Sequence, residues 1–334
     1  MENKSQIKKI CLDFNLQPKR RLGQNFLISK NVLEKIIKTA DLKKDDLVLE
    51  VGSGLGFLTE ELAKRVKKVL AIEIDKNLVE VLKERLRNYE NVEIIKEDIF
   101  SEEARKIILK WLKKEKKYKI VANLPYNITS RFLRIFLSAK IYPVKSPAKG
   151  SGAIKSQFNR ARPELMVLMI QKEVAQRIIS KPPQMSKLSV MVQFYSQPEI
   201  VFKVKKENFW PKPKVESAIL RLVLFERERI YPVKCRQAAI SPKAKLFHRV
   251  NEDKFFKIVR AGFLSPRKYL LNNLKKAELI KENRLRQPAS PELQRGEGFG
   301  ESKGEKIFKE LGFSPKIRAQ ELRVKDWEKL CFTI

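Results

Sequence analysis

Hydrophobic positions in the first half of the chain follow two alternating periodicities. Short runs in which nearly every residue is apolar predict buried strands, and stretches whose apolar residues recur every three to four positions predict helices. The predicted strands are 46–56 with its terminal glycine turn, 68–75, 92–98, 118–127 and 164–171. The predicted helices are 31–40, 57–66, 77–89 and 104–114. Strands that alternate with helices at this spacing predict a parallel sheet with right-handed crossover connections.

The pattern changes in the second half of the chain. The apolar runs 198–204 and 217–225 have no helix of crossover length between them, so we expect an antiparallel pair at the sheet edge. From about residue 251 the periodicity is helical, with predicted helices at 254–263, 267–276, 306–313 and 324–330. The predicted fold class is therefore α/β, with a mixed seven-stranded sheet followed by a small all-helical C-terminal domain.

Three stretches interrupt this order and suggest the domain boundaries. Residues 142–162 and 232–249 are basic and contain no acidic residue, and 283–304 is rich in Gly, Pro, Ser and charge. Such stretches are typical of solvated surface insertions, and basic arms that touch nucleic acid are the alternative. We expect an α/β domain at 1–228, a basic linker at 229–250 and the helical domain at 251–334.

The charge balance bears on what this fold binds. Lys and Arg number 72 and Asp and Glu 39, so the net charge is 72 − 39 = +33. A charge of this size predicts a polyanionic partner, with nucleic acid first, because Lys and Arg neutralise its phosphates. A generally lysine-rich set of cellular proteins is the alternative explanation.

The cysteine spacing, the single histidine and the hydropathy of the chain limit the types of site and the classes of protein that remain. The cysteines Cys11, Cys235 and Cys331 match no zinc-binding spacing and are typical of a reducing compartment. The single histidine, His248, excludes a multi-histidine metal site and argues against a Ser-His triad. No apolar run approaches the roughly 18 residues of a membrane span, and the chain begins without a signal-peptide core. We therefore expect a soluble cytoplasmic protein with no bound metal.

A glycine turn and two acids mark the carboxyl ends of the first three predicted strands. Gly52, Gly54 and Gly56 follow a buried strand and open a helix, where glycine lets a ligand approach the backbone. Glu73 and Asp98 end the next two strands and would hold the ribose hydroxyls and the adenine amine of a nucleoside in the crevice that open α/β sheets form there. On the evidence of the glycine turn alone, a dinucleotide-dependent oxidoreductase remains an alternative function.

The fourth predicted strand delivers Asn123, Leu124, Pro125 and Tyr126 to the same edge. Alone, this stretch is an ordinary proline turn. Beside a methyl donor, the Asn123 amide and the Leu124 carbonyl would accept the protons of a planar amine and favour a tetrahedral, nucleophilic nitrogen. Pro125 would aim both oxygens the same way, and Tyr126 would stack on the base. We expect these residues to be catalytic and Asn123 also to contact the donor.

Ten stretches along the chain match one known family in their order. They are "RRLGQNFL" (20–27), "VLEVGSGLGFLT" (48–59), "AIEID" (71–75), "KED" (96–98), "NLPYNI" (123–128), "MIQKEVAQRI" (169–178), "LSVMVQFY" (188–195), "FWPKPKVESAILRL" (209–222), "GFLSPRKYLLNNL" (262–274) and "IRAQELRVKDWEKL" (317–330). By the order and number of these stretches, rather than by any single motif, the chain resembles the small-subunit ribosomal RNA adenine dimethyltransferases, the family that confers kasugamycin sensitivity in bacteria.

This resemblance implies a Rossmann-like class I methyltransferase that uses S-adenosyl-L-methionine. It implies that Phe209, the Phe of "FWPKP", sandwiches the target base with Tyr126. The implied cofactor-binding residues are Gln24, Asn25, Leu27, Gly52, Gly54, Glu73, Asp98 and Asn123.

The resemblance also implies a substrate. The family adds two methyl groups to each of two adjacent adenines in a hairpin near the 3′ end of small-subunit ribosomal RNA, on a partly assembled particle. The implied partner is the small ribosomal subunit, and we expect the chain to act as a monomer. The implied RNA contacts are Arg20, Arg21, Arg267 and Lys268. The three insertions and the turn before "LSV", 182–187, depart from the family pattern.

Two alternatives share much of this sequence evidence. The related large-subunit adenine methyltransferases that give macrolide resistance carry the same catalytic stretches, but 262–274 and 317–322 favour the small-subunit family. A non-catalytic assembly or transcription factor on the same fold is the alternative from another class. An altered donor pocket would indicate such a factor, yet every expected donor-pocket residue is present.

Overall fold

The computed structural model describes residues 2–112, 115, 117–138, 162–226, 250–280 and 302–334. They form two units: Met1–Ile179 with Tyr195–Phe225, and Ser180–Phe194 with Glu226–Ile334. The three expected insertions lie outside the described residues, apart from Arg162 and residues 302–304. Cys235 and His248 lie outside them as well.

The first unit contains the helices and strands that alternate in the sequence pattern. Up to the fourth strand of the main sheet the elements are α1 (Glu2–Asp13), β1 (Phe26–Leu27), α2 (Lys30–Ala40), β2 (Leu47–Val51), α3 (Phe57–Ala63), β3 (Lys68–Glu73), α4 (Lys76–Arg85), β4 (Val92–Lys96), α5 (Glu102–Leu112) and β5 (Lys117–Asn123). Then follow α6 (Thr129–Leu137), β6 (Arg162–Gln171), α7 (Lys172–Ile178), α8 (Lys187–Tyr195), β7 (Ser196–Val204), β8 (Phe209–Trp210) and β9 (Ser217–Leu224). Of these, α8 belongs to the second unit apart from Tyr195.

Seven strands of the described chain form one mixed sheet in the order β4-β3-β2-β5-β6-β9-β7. The pairs among β4, β3, β2, β5 and β6 are parallel, whereas β9 is antiparallel to both β6 and β7. This confirms the predicted mixed sheet with an antiparallel pair at its edge. Because the parallel strands run the same way, the ends of β2, β3, β4 and β5 lie along one edge.

Helix α2 shows how the local sequence sets these elements. The Ser29 side chain accepts a hydrogen bond from the Val32 backbone N–H and so caps the first turn. The apolar residues of α2 recur at helical spacing, and Val32 and Ile36 are buried in the core. The helix ends where Asp41 adopts a left-handed conformation, with φ of 44°.

Several of these helices and strands are absent from the sequence-based prediction. Helix α1 has a largely polar sequence, and of its apolar residues Ile7 and Cys11 are the buried ones, so its helical pattern is weak. Helices α7 and α8 each adjoin a strand directly, which hides their boundaries. Strands β1 and β8 pair over two residues each, Phe26 with Trp210 and Leu27 with Phe209, too few for a periodic signal.

The second unit is helical. Beside residues of α8 it contains α9 (Glu252–Gly262), α10 (Leu270–Lys276), α11 (Lys303–Glu310) and α12 (Val324–Thr333). A Cβ on Gly262 would overlap the Trp327 ring, so glycine allows α9 and α12 to pack closely. Within this unit the Phe194 ring stacks on Phe255, with centroids 4.3 Å apart.

Two features of the second unit differ from the sequence-based expectation. The expected helix 267–276 begins at Leu270, and Arg267 and Lys268 lie in the turn before it. In the structure, Ser180–Phe194 belongs to the second unit, whereas the expected α/β domain at 1–228 includes that segment. Among the described residues, no helix is both long and apolar enough to cross a bilayer.

Candidate active site

A cavity of about 280 Å³ lies in the first unit where β2, β3 and β5 end. Its lining includes the N-terminal segment before α2, the glycine turn and the loops after β3, β4 and β5. All eight residues predicted to bind a cofactor line it, namely Gln24, Asn25, Leu27, Gly52, Gly54, Glu73, Asp98 and Asn123. Leu124, Pro125 and Tyr126 line it as well. The fold thus assembles in one place residues that are distant in the sequence.

Glu73 holds the glycine turn and the end of β3 together. Its Oε2 accepts a hydrogen bond from the Gly54 N–H at 2.9 Å, and its Oε1 accepts from Ile74 at 2.9 Å and Asp75 at 3.0 Å. Burial raises the pKa of this carboxyl, and the three backbone N–H groups oppose the shift. A carboxylate has about four acceptor positions, so roughly one remains for a ligand hydroxyl.

The glycine turn lets the end of β2 touch the turn after β5. Gly52 has φ of 71°, and a Cβ there would lie 3.3 Å from Pro125 Cδ. A Cβ on Gly23 would also lie 3.3 Å from Pro125, at Cβ. Larger residues at these two positions would push Pro125 away, because their Cβ contacts are already tighter than usual. Pro125 is therefore fixed from both sides.

The residues after β5 present an amide and a ring to the cavity. Asn123 Nδ2 donates to the Asn25 carbonyl at 3.3 Å, which leaves Oδ1 as a free acceptor. The Tyr126 hydroxyl is 2.7 Å from Ser217 Oγ at the start of β9. Tyr126 is half-buried, and burial raises its pKa. The hydrogen bond to Ser217 fixes the ring at its hydroxyl end.

Phe209 departs from its expected placement. Its side chain is buried in the hydrophobic core with Val204 and Ile219, and it is not among the residues that line the cavity. The pairing of β8 with β1 fixes its backbone opposite Leu27. The structure therefore does not bring Phe209 and Tyr126 together as the two faces of a base sandwich.

Comparison with known proteins adds the family. The family model described as "Ribosomal RNA adenine dimethylase" matches residues 15–234. The chain belongs to this family. Ribosomal RNA small subunit methyltransferase A from Dehalococcoides mccartyi (strain CBDB1) is 37% identical over 329 residues, 98% of this chain and 92% of the relative. The protein of the same description from Pediococcus pentosaceus is 33% identical over 331 residues, 98% of this chain and 93% of the relative.

Solved structures share the fold of this dimethylase family member. The dimethyladenosine transferase from Plasmodium falciparum has a TM-score of 0.62 and 24% identity, over 91% of this chain and 95% of that one. The 23S rRNA methyltransferase ErmE has a TM-score of 0.58 and 24% identity, over 92% and 99%. At this identity the likeness establishes the fold alone.

Glu50 lines the cavity and was not among the predicted site residues of this family member. It is buried on β2, and desolvation, with a small contribution from Glu73, raises its pKa to about 8. The hydroxyls of Ser53 and Thr59 favour its charged form, yet neither hydroxyl oxygen nor Glu50 Oε2 has a partner at hydrogen-bond geometry. The position of Glu50 two residues before Gly52 was the available sequence signal.

Asp75, a second residue that sequence reasoning missed, fastens the N-terminal segment to α4. Asp75 accepts from Lys19 Nζ and from Gln24 Nε2, both at 2.8 Å. The Lys19 backbone N–H donates to Gln24 Oε1 at 2.7 Å. The side-chain hydrogen bonds of Lys19 and Gln24 outweigh burial and lower the pKa of Asp75. We call residues 19–25 the N-terminal arm; it carries Gln24 and Asn25 to the cavity.

Three of the expected RNA contacts, Arg21, Arg267 and Lys268, are not among the residues that line the cavity. Arg21 is exposed in the N-terminal arm, and Arg20, whose side chain is not described, precedes it. Arg267 and Lys268 are exposed in the second unit. Within the described ranges, no group of three or more His, Cys, Asp or Glu side chains is placed to hold a metal ion.

Proposed function

We propose that the protein transfers methyl groups from S-adenosyl-L-methionine to the exocyclic amines of adenosines in small-subunit ribosomal RNA. The observation that carries the proposal is the position of Asn123, whose Oδ1 is left free in the same cavity as Glu73 and Asp98. In the reaction the amine nitrogen attacks the methyl carbon and the carbon–sulfur bond breaks. The electron pair stays on the now neutral sulfur, and the nitrogen loses its proton to solvent.

The cavity fits the proposed donor. Glu73 retains an acceptor position for a ribose hydroxyl, and Asp98 Oδ1 is used by the Phe100 N–H at 2.9 Å while Oδ2 is available for an adenine amine. Glu50 Oε2 and Ser53 Oγ are buried without partners, which suits the charged amino-acid end of the donor. When bound, the donor supplies an activated methyl group, so positioning gives most of the catalysis.

The acceptor side is built by the turn after β5. Asn123 Oδ1 and the Leu124 carbonyl would accept the two protons of the target amine, which favours a tetrahedral nitrogen. The Leu124 N–H donates to the Met169 carbonyl at 3.1 Å, so its peptide group is held by β6. Tyr126 would stack on the base from a ring already fixed by Ser217. Phe209 would join it only after leaving the core.

The substrate assignment rests on the described relatives. Two relatives that cover nearly the whole chain are described as small-subunit methyltransferases. We propose dimethylation of two adjacent adenines near the 3′ end of that RNA, in the cytoplasm, by a monomer acting on a partly assembled particle. Arg20, Arg21, Arg267 and Lys268 would contact its phosphates.

The deciding experiment is nucleoside mass spectrometry after reaction with undermethylated subunits. We expect dimethyladenosine from small subunits and none from large subunits. Asn123→Ala should lower kcat by about 100-fold, as for the loss of one group that stabilises the transition state. The matched control is Asn88→Ala, an exposed asparagine beyond α4, which should match the parent. Product from large subunits only, or full turnover by Asn123→Ala, would contradict the proposal.

A further inference from the structure

Arg131 lies at the rim of the cavity and has no assigned role. It is exposed in the first turn of α6, eight residues after Asn123 in the chain, and it lines the cavity. Its guanidinium carbon is 4.0 Å from the centroid of the Phe100 ring. Phe100 is itself fixed, because its N–H donates to Asp98 at 2.9 Å. Arg131 thus lies where the expected adenine site of the donor meets the turn that would receive the target base.

The charge of Arg131 is uncompensated within the described part of the chain. No carboxylate there forms an ion pair with it, whereas Arg65, Arg85 and Arg87 pair with Glu61, Glu60 and Glu84. Stacking on Phe100 engages only the face of the guanidinium and leaves its in-plane N–H groups available. The result is a cation held in one orientation with several unused donors.

The ligand that suits such a group is a phosphodiester. A base that enters the cavity must leave its stack, which brings the phosphates on either side of it to the rim. A guanidinium binds phosphate oxygens through two parallel hydrogen bonds. Residue Ile128, which precedes α6, makes no side-chain cap, so the positive end of the α6 dipole adds to the same field.

We propose that Arg131 binds a backbone phosphate next to the target adenosine and so positions the base against Asn123 and Tyr126. This rests on the proposed function, since the phosphate belongs to its RNA substrate. The competing explanation is that Arg131 only supports Phe100 beside the donor. If Arg131 binds a phosphate, removal of its charge weakens RNA binding. If Arg131 only supports Phe100, its removal weakens donor binding instead.

The test compares Arg131→Ala and Arg131→Lys with Arg134→Ala, an exposed arginine on the same helix outside the cavity lining. Methylation of undermethylated small subunits is followed across a series of KCl concentrations, and donor binding is measured by calorimetry. Arg131→Ala should lower kcat/KM about tenfold and leave the donor Kd within about twofold of the parent value. The salt slope, which is the slope of log kcat/KM against log KCl concentration, should become shallower by about one, the amount expected for one lost phosphate contact. Arg131→Lys should keep the slope with an intermediate kcat/KM. Arg134→Ala should match the parent.

Two results would overturn the inference. One is Arg131→Ala behaving like Arg134→Ala; the other is weaker donor binding with an unchanged salt slope, which would assign Arg131 to Phe100. Circular dichroism checks folding, and Arg131→Gln replaces the alanine variant if that variant unfolds. A parent protein that binds the donor but methylates no subunit would instead contradict the proposed function.

Discussion

At the scale of single residues, Glu50 has a strongly raised pKa. Its carboxyl is buried, and desolvation raises its pKa to about 8 from an ordinary value of 4.5. Between these values the folded protein keeps the proton while the unfolded chain has lost it. Folding therefore binds a proton in this window, and the contribution of Glu50 to stability falls as pH rises.

Glu50→Gln tests the direction of this pH dependence of stability. The amide cannot ionise, so the variant should lack the loss of stability that the parent shows as pH rises from about 4.5 to about 8. The difference in the free energy of unfolding should grow in favour of the variant by up to roughly 1.4 kcal/mol per pH unit. Urea denaturation of both proteins at several pH values measures it. Parallel pH profiles would show that Glu50 is ionised in the folded protein.

The hydrogen bond between Tyr126 and Ser217 gives a second prediction at this scale. Tyr126→Phe and Ser217→Ala each remove the same bond, so each should lower kcat/KM about three- to tenfold by loosening the ring. The double variant should lose little more than either single variant, because the bond is already absent. Kinetics with small subunits measure this. Fully additive losses would mean that the two groups act separately.

At the scale of elements, the N-terminal arm depends on one carboxylate. Asp75 caps α4 through the Asn77 N–H and also holds Lys19 and Gln24. The arm adds Asn25, whose carbonyl orients the Asn123 amide. One residue at the start of α4 therefore links the arm to the expected donor site.

Asp75→Asn separates these roles. Asparagine is as good a cap as aspartate, so α4 should keep its stability, but the ion pair to Lys19 is lost. We expect the donor Kd to rise about three- to tenfold and the arm to become more sensitive to protease. Calorimetry and limited proteolysis measure both, with Glu93→Gln, which removes the partly exposed pair to Lys68, as the control. An unchanged Kd would show that the arm is held without Asp75.

The sequence predicted the elements that have strong periodicity. Strands β2, β3, β5 and β6 were found because most of their residues are buried and apolar. Strand β4, whose residues are partly buried, was found from its short apolar run. The sequence also predicted that Gly52, Glu73, Asp98 and Asn123 lie at one edge of the sheet, because each of them ends a parallel strand or follows it closely. Ser217, Asp75 and Arg131 were missed as functional residues, because their roles arise from contacts between distant segments that leave no periodic signal.

At the scale of the whole molecule, the second unit is discontinuous in sequence. It combines Ser180–Phe194, which lies between β6 and β7 in the chain, with the C-terminal helices. Phe194 packs on Phe255 and Phe256. The apolar core of this unit thus depends on a segment from within the sequence of the α/β domain.

Phe255→Ala tests that dependence. Phe255 is fully buried, so its truncation should cost about 3–5 kcal/mol of stability and lower the Tm of the full chain. Phe332→Ala, an exposed phenylalanine in α12, should leave the Tm nearly unchanged. Calorimetry measures both. Equal effects of the two variants would contradict the packing described for the second unit.

The sequence alone determined the parallel arrangement of the strands from β2 to β6, the glycine and acidic residues at the strand ends, and the family. These follow from local periodicity and from residue types that the backbone or a ligand requires at fixed positions. Only the tertiary structure decided that Phe209 is buried, that Asp75 fastens the arm and that Arg131 at the cavity forms no ion pair with a carboxylate of the described residues. Each depends on distances between segments far apart in the chain, which folding sets through packing that no single segment encodes.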